Sequence, residues 1–306
     1  MPITTRQKPS SQSRLLRSRR SDLIEWMDRP DCDPVRLHNT YRYFPVINRL
    51  ISRWKGVYRR FIRPQLEPGI VFRLLDVGSG GGDITRNIHK WAKQDGFLLD
   101  VTGIDPDSRA LEYANAASAA GPSAADLPTA DLPAAGLSAA DLPTAGLPST
   151  VEPSHAAAGI RFLQTDTARL RQTDQIFDLV ICNHVLHHLP ENDIFGFLDD
   201  LASLATRRVI CSDIERSAVG YALFSVATWP LFPNSYIRAD GLISIRKSFR
   251  SNELRDILPP DWRVVRQFPY RLLAVLDKET SADSATGSTS AQNEAVPHQI
   301  KTTAPR

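Results

Sequence analysis

The stretch Leu74-Leu-Asp76-Val-Gly78-Ser-Gly80-Gly81-Gly82-Asp83 joins a short apolar run to a glycine-rich turn. The apolar run at 71–77 predicts a buried strand, and the pattern at 84–94 predicts a helix directly after the turn. Glycines let a ligand approach the main chain because they carry no Cβ. We therefore predict a ligand-binding turn at the carboxyl end of the first strand of an open α/β sheet.

The alternation of apolar runs and helical patterns continues along the chain. Helices are expected at Ser108–Ala117 and Glu191–Ala205. With the first strand, six further runs make seven expected strands: Leu98–Ile104, Ile160–Leu163, Phe177–Cys182, Val209–Ser212, Trp262–Phe268 and Tyr270–Leu276. This order predicts an α/β fold with a mostly parallel seven-stranded sheet and helices on both faces.

Other segments flank or interrupt the sheet domain, which we place at 68–278. Residues 21–67 are expected to form an N-terminal helical cap, with Asp22 capping its first helix and a second helix at 41–62, where Pro45 marks a possible true start. Three segments are expected to be disordered because they bury too little apolar area: a basic arm at 1–20, a low-complexity insertion at 121–158 and a tail at 279–306.

The composition is that of a soluble globular protein, with 42% hydrophobic and 23% charged residues and a net charge of +3. The three cysteines form no metal-binding spacing, so no metal is expected and a reducing, cytoplasmic location fits. The basic N-terminus lacks the apolar stretch of a signal peptide. The apolar run at 218–232 is too short to span a membrane. Peripheral membrane contact stays open, whereas no nucleic-acid partner is expected.

The glycine turn departs from the two common phosphate-binding patterns. A dinucleotide fingerprint starting at Gly78 needs a third glycine where Asp83 stands, and no Lys-Ser or Lys-Thr pair follows the glycines. The acidic side chains of Asp76 and Asp83 would also oppose a pyrophosphate. The residues therefore favour a ligand without phosphate.

The spacing Asp76-x-Gly78-x-Gly80-x-Gly82 resembles motif I of the class I methyltransferases, which use S-adenosylmethionine on a Rossmann-like fold. Asp105 ends the second strand, where a carboxylate accepts hydrogen bonds from both ribose hydroxyls. The resemblance implies that Asp166 meets the adenine amino group. The cofactor-binding residues that it implies are Asp76, Gly78, Ser79, Gly80, Gly82, Asp105, Pro106, Asp166, Thr167 and Asn183.

The stretch Phe177-Asp-Leu-Val-Ile-Cys-Asn183-His184-Val-Leu-His187-His188-Leu189 resembles the fourth motif of the same family. The resemblance places Asn183 and His184 beside the methionine part and the transferred methyl. Enzymes that methylate amino groups of bases commonly carry Asn/Asp-Pro-Pro-aromatic here. Its absence favours an oxygen or carbon acceptor on a small molecule.

A phenol or enol oxygen must lose its proton, and histidine serves as a base near neutral pH. His184, His187 and His188 are candidates, together with Asp213 after the fifth strand. Helical spacing would place His184 and His188 on one face and His187 on another. We therefore take His184, His188 and Asp213 as the candidate catalytic residues.

Two looser matches concern the acceptor. The segments 41–52 and 242–249 resemble UbiE/MenG-like enzymes of quinone and phenolic-lipid biosynthesis, which implies a hydrophobic phenol or quinol. The segment 217–240 either lines such a pocket or packs on the sheet, and its aromatics are Tyr221, Phe224, Trp229, Phe232 and Tyr236. A cofactor-binding regulatory protein without catalysis, or an NAD-dependent oxidoreductase, are the alternatives, and the oligomeric state is left open.

Overall fold

The structure is a computed structural model that describes residues 16–120 and 158–278 of the chain. Most of the predicted arm, residues 121–157 of the predicted insertion, and the predicted tail at 279–306 lie outside the described residues.

Seven strands form one sheet in the order β3-β2-β1-β4-β5-β7-β6. β7 pairs antiparallel with β5 and β6, and the other pairs are parallel. The predicted α/β fold with a mostly parallel seven-stranded sheet is thus confirmed. The strands are β1 (Val71–Val77), β2 (Leu98–Asp105), β3 (Ile160–Gln164), β4 (Phe177–Asn183), β5 (Ala205–Ile214), β6 (Trp262–Gln267) and β7 (Arg271–Asp277).

Helices lie between the strands and before the sheet. The N-terminal cap begins with α1 (Pro34–Ile47), which continues through short helical turns at Asn48–Ser52, Trp54–Val57, Tyr58–Ile62 and Arg63–Gln65. The later helices are α2 (Asp83–Gln94), α3 (Ser108–Ala119), α4 (Thr167–Arg171), α5 (Glu191–Leu204), α6 (Ala218–Ala227), α7 (Ile237–Lys247) and α8 (Ser251–Ile257).

Both faces of the sheet are covered, because successive side chains of a strand point to opposite sides. Leu74 of β1 packs in a core with Ile88 of α2 and Tyr58 of the cap. Leu75, the next residue, packs in a second core with Leu198 of α5. Strands buried on both faces explain why β1 and β4 are almost continuously apolar.

The predicted helix near Asp22 is wrong, because residues 16–33 form turns and bends. Asp22 caps no helix and instead forms an ion pair with Arg20. The backbone N–H groups of Trp26 and Met27 donate to the two carboxylate oxygens of Asp240, at 2.7 and 3.0 Å. This distant carboxylate replaces the local bonds that a helix would have made.

Two further N-terminal expectations need correction. Pro45 lies inside α1, near its end, and does not mark the start of the second helix. Residues 16–20, predicted as part of the disordered arm, pack against the body: Leu16 is buried, and Arg19 donates to the carbonyl oxygen of Leu189 at 2.6 Å.

Across residues 16–120 and 158–278, none of the helices is both long and apolar enough to cross a bilayer.

Candidate active site

The glycine turn leaves β1 and docks onto the end of β2. The N–H groups of Gly78 and Ser79 both donate to the carbonyl oxygen of Ile104, at 2.9 and 3.0 Å. Gly80 and Gly82 have φ values of 52° and 74°, in the left-handed region that glycine adopts without strain. The turn then opens directly into α2, as the sequence predicted.

Two of the glycines are needed for different reasons. A Cβ on Gly82 would lie 2.4 Å from the Phe162 ring of β3, so this glycine permits close packing of the turn. A Cβ on Gly80 would meet no atom within 4 Å. Gly80 therefore faces open space at the carboxyl edge of the sheet, where α/β proteins bind ligands.

Carboxylates surround this open space. Asp105 accepts hydrogen bonds from the N–H groups of Gly80 and Asp107, both at 2.9 Å, and burial raises its pKa. Asp76 accepts from the Thr85 hydroxyl at 2.6 Å. Burial raises the pKa of Asp76 to about 7, and the nearby Asp83 and Asp105 add to that rise.

Asp83 and Arg86 hold the start of α2 in place. Asp83 is buried, which raises its pKa, and it accepts from the Asn48 amide at 3.0 Å. The Arg86 guanidinium donates to the carbonyl oxygens of Gly81 and Ala114 at 2.8 and 3.3 Å. The Arg86 charge also opposes the rise in the pKa of Asp83. Asp76 and Asp105 add two further carboxyl groups to the turn, which gives it an acidic character that suits a cationic ligand.

The remaining predicted cofactor residues lie along the same edge. Ser79 packs against Gly103, and the carbonyl oxygen of Pro106 accepts from Gln164. Asp166 caps α4 by accepting from the Arg169 N–H at 2.8 Å, and the Thr167 hydroxyl donates to Asp200 of α5 at 3.2 Å. These contacts give Asp166 and Thr167 structural roles, so their part in cofactor binding stays a prediction.

A buried arginine that the sequence reasoning missed joins the fourth motif. Arg271 begins β7 and is fully buried. Its guanidinium donates to His184 Nε2, Asn183 Oδ1 and Ser212 Oγ, each at 2.7 Å. Its only signal in the sequence is a cation at the start of an otherwise apolar run.

The charge of Arg271 lacks a direct counter-ion. No described carboxylate forms an ion pair with it, and its Nε has no described partner. Burial lowers its pKa to about 10, against the opposing effect of Asp213, so the guanidinium stays positive at neutral pH. Buried charges in proteins are normally paired. The edge near Asn183 therefore carries an excess positive charge.

His184 is held as a neutral ring. Burial first, and then the Arg271 cation, lower its pKa well below the usual range. Because Nε2 accepts from Arg271, the proton of the neutral ring lies on Nδ1. The basic nitrogen is thus occupied, which argues against the predicted role of His184 as general base.

Asp213 and His187 form a buried ion pair. His187 Nδ1 lies 2.7 Å from Asp213 Oδ1, and its backbone N–H donates to Asp213 Oδ2 at 2.9 Å. Burial raises the pKa of Asp213, but the His187 cation outweighs it and holds that pKa well below the usual range. A carboxylate so strongly paired is a weak base, so the geometry also argues against Asp213 as the general base.

The third candidate, His188, contacts charged groups of the N-terminal segment and α7. Its Nδ1 lies 3.1 Å from Lys247 Nζ and 3.2 Å from Asp28 Oδ2. Glu25, Lys247 and His187 meet in the same cluster, where Glu25 Oε1 lies 3.5 Å from Lys247 Nζ and 3.3 Å from His187 Nε2.

Two triplets in this region bring metal-ligating atoms within 4.8 Å of one another: Glu25, His187 and His188, and His184, His187 and Asp213. In each triplet the protonated His187 already pairs with a carboxylate, which is Glu25 in one and Asp213 in the other. Lys247 supplies a second positive charge beside Glu25. The charges thus balance without a cation.

The predicted helical arrangement of the three histidines is wrong. His184 has a φ of 61° and ends the strand in a left-handed turn, and the helical part is a single tight turn at Leu186–His188. The rings of His187 and His188 lie 4.2 Å apart, and that of His184 lies 5.9 Å from His187. His184 and His188 therefore share no face, since His184 contacts Arg271 and His188 contacts Lys247.

The His187 ion pair should make stability fall as the pH rises. Burial alone would lower the pKa of His187, but Asp213 and Glu25 raise it to about 9, above its ordinary 6.5. The resulting stabilisation, up to ~3 kcal/mol, is fully present below the unfolded pKa and is lost as the pH passes through the folded one. His187→Asn should lack this dependence. Urea unfolding from about pH 6 to about pH 9.5 measures it, and parallel curves for the two proteins would refute the assignment.

The aromatic segment after β5 is divided between core and surface. Tyr236 is buried and accepts from the Asp33 N–H at 2.8 Å, whereas Trp229 is 76% exposed. Trp229 therefore does not line an enclosed pocket, contrary to the prediction that segment 217–240 lines the pocket of a hydrophobic acceptor. Besides Phe162, Tyr41 and Tyr113 also approach the glycine turn, and their rings lie 3.5 and 3.1 Å from the Cβ position of Gly81.

Two solved methyltransferase structures and one sequence family are similar to this chain. The plantazolicin methyltransferase BpumL in complex with SAH is similar, with a TM-score of 0.51 and 14% identity over 88% of this chain and 95% of that one. The magnesium protoporphyrin IX methyltransferase (ChlM) of Synechocystis PCC 6803 gives a TM-score of 0.43 and 18% identity over 74% and 82%. No curated protein sequence matches. The sequence profile of the family described as "Methyltransferase domain" matches residues 38–258, more than half of the chain. The chain therefore belongs to the methyltransferase-domain family.

Proposed function

We propose that the chain transfers a methyl group from S-adenosylmethionine to an oxygen or carbon of a small hydrophobic, phenol- or quinol-like molecule. The choice of S-adenosylmethionine as the cofactor is supported mainly by the turn at Gly80, which leaves open space beside the Asp105 carboxylate. The acidic surroundings of the turn suit the cationic amino group of the methionine part, whereas they oppose a pyrophosphate.

The residues of this edge fit the parts of such a cofactor. Asp105 would accept hydrogen bonds from the ribose hydroxyls, and its carboxylate is already oriented by Gly80 and Asp107. Gly80 would let the nucleoside and methionine parts lie against the main chain. Asn183 ends β4 and His184 follows it, at the same carboxyl edge of the sheet as the glycine turn, and the resemblance assigns these two residues to the transferred methyl.

When bound, S-adenosylmethionine supplies the electrophilic methyl, and the chain has to orient the acceptor and favour its ionised form. We infer that Arg271 favours the ionised form of the acceptor, because its uncompensated positive charge lowers the pKa of a nearby acceptor hydroxyl. It also fixes His184 with the proton on Nδ1, from which the ring donates to the acceptor oxygen. No general base is required if the acceptor binds as the anion.

The hydrophobic acceptor is supported by the aromatic rings of Tyr41 and Tyr113 beside the turn and by the UbiE/MenG-like resemblance. A protein that binds the cofactor without catalysis remains the second candidate, because His187 and Asp213, two buried groups of the site, are tied in an ion pair. The two candidates differ in whether a product forms.

The test is incubation of the full chain with isotope-labelled S-adenosylmethionine and a cell lipid extract, followed by mass spectrometry. The proposal predicts a labelled product in the lipid fraction that is absent with the Gly80→Val variant. Tight cofactor binding without any labelled product would favour the non-catalytic candidate instead.

Asp105→Ala should weaken S-adenosylmethionine binding by about 1.5–3 kcal/mol, or roughly 10- to 150-fold, because charged hydrogen bonds to the ribose are lost. Asp107→Ala is the matched control, since Asp107 is the neighbouring acid and pairs with Arg109. Isothermal titration calorimetry measures both. Equal affinities of the two variants would show that Asp105 does not contact the cofactor.

A further inference from the structure

We propose that one exposed face of the chain docks on a bilayer of anionic lipids. This lipid-docking face consists of residues from the N-terminal cap and from α6 and its following loop: Val46, Leu50, Leu223, Val226, Trp229 and Leu231. The docking does not depend on the proposed methyl transfer.

The apolar part of the face is unusually exposed. Val226 and Trp229 are each 76% exposed, and Leu223 and Leu231 are 59% and 58% exposed. α6 contains no charged residue over its ten positions, Ala218–Ala227. Single exposed apolar residues are ordinary, but a contiguous group of large ones marks a surface that contacts a partner or a membrane.

The two parts of the face lie side by side. The ring of Phe232, next to Leu231, packs 5.3 Å from that of Tyr43 in α1. The Asn39 amide donates to the carbonyl oxygen of Asn234 at 3.0 Å. Val46 and Leu50 follow Tyr43 at spacings of three and seven residues, which places them near the same side of the helical cap. These contacts join the cap to the loop after α6, so the two sets of exposed apolar side chains lie on adjoining parts of the surface.

The charge around this group is positive. Residues 34–66 contain no acidic side chain and eight basic ones: Arg36, Arg42, Arg49, Arg53, Lys55, Arg59, Arg60 and Arg63. Arg42, Arg49 and Arg53 are exposed. The Arg238 guanidinium lies 4.9 Å from the centre of the Trp229 ring. Exposed apolar side chains with a tryptophan and flanking arginines are the pattern of a helix that binds an anionic bilayer interface.

The same charge argues against a second copy of the chain as the occupant. In a symmetric dimer the same surface would meet itself, so each basic segment would face its own copy. Like charges placed together across an interface are unfavourable. An anionic bilayer instead offers a hydrocarbon region in which Trp229 and Val226 can be buried, and negatively charged headgroups that attract the arginines.

The position of the lipid-docking face bears on how an acceptor would reach the candidate active site. Tyr43, which contacts Phe232 beside this face, belongs to the same helix, α1, as Tyr41, whose ring approaches the glycine turn. An acceptor dissolved in the bilayer would then reach the site from the docked side. This last step rests on the proposed function, whereas vesicle binding does not.

The test is co-sedimentation of the full chain with vesicles of phosphatidylcholine alone and of phosphatidylcholine with about 30% phosphatidylglycerol. We expect binding to the anionic vesicles that weakens with added salt, and little binding to the neutral ones. The triple variant Leu223→Ser, Val226→Ser and Trp229→Ser should bind at least tenfold more weakly. Phe195→Ser is the matched control, because Phe195 is 64% exposed on α5, outside the face.

Four results would overturn the proposal. The first is that the unaltered chain does not bind anionic vesicles, and the second is that the folded triple variant binds them as well as the unaltered chain does. The third is that Phe195→Ser weakens vesicle binding as much as the triple variant does. The fourth is that the chain self-associates without lipid and that the triple variant abolishes this association. Circular dichroism melting of each variant establishes that it is folded. If the triple variant does not fold, Arg42→Gln with Arg49→Gln replaces it, and their unchanged binding would equally overturn the proposal.

Discussion

Gly80→Val should abolish S-adenosylmethionine binding, with at least a ~100-fold rise in Kd, while the fold survives. The Cβ position of Gly80 meets no protein atom within 4 Å, so a branched side chain would occupy only the space that the cofactor needs. The added backbone strain at positive φ is about 1–2 kcal/mol, which a domain of this size tolerates. Calorimetric titration and thermal melting measure the two effects.

The chain offers a matched control for the strain. Gly96 follows α2, has a φ of 81° and likewise meets no atom within 4 Å of its Cβ position. Gly96→Val should lose similar stability and keep full cofactor affinity. If both variants lost affinity equally, or if Gly80→Val still bound normally, the space beside Gly80 would not be the cofactor site.

Arg271→Met should lower kcat about 10²–10³-fold at neutral pH with cofactor affinity retained, because the charge that favours the ionised acceptor is lost. Activity of the variant should recover as the pH rises toward ~10, where a phenol ionises unaided. Arg271→Lys should recover part of the rate by restoring the charge. Both expectations are tested by measuring kcat as a function of pH for the unaltered chain, Arg271→Met and Arg271→Lys.

A structural role alone would not produce that recovery. Arg266→Met serves as control, since Arg266 lies on the neighbouring β6 and pairs at the surface with Glu215. We expect it to leave the pH profile unchanged. A loss in Arg271→Met that is equal at every pH would contradict the assignment of Arg271 to acceptor ionisation.

The sheet was predictable because buried parallel strands are apolar runs that glycines and polar turns interrupt. β1 was predicted with its observed bounds, whereas β5 begins at Ala205, four residues before the apolar run at Val209. The additional residues pair with the beginning of β4 although three of the four are polar, which composition does not reveal. The turns at 16–33 were missed because the Asp240 carboxylate, 214 residues from Trp26, satisfies their backbone.

The site was predictable only where chemistry follows from local sequence. The glycine turn and Asp105 lie where their motifs placed them. The roles of the histidines did not follow, because helical spacing was assumed where His184 takes a left-handed turn. Arg271 lies 87 residues from His184 and reaches it only through the antiparallel insertion of β7 between β5 and β6. No local pattern encodes that contact.

We expect the turn after β1 to receive a phosphate-free sulfonium nucleoside. Calorimetric titration of the full chain with S-adenosylhomocysteine, and separately with NADH, tests it most directly. S-adenosylhomocysteine should bind one-to-one, Gly80→Val should remove that binding, and NADH should give no heat. Binding of NADH, or no binding of S-adenosylhomocysteine, would contradict it.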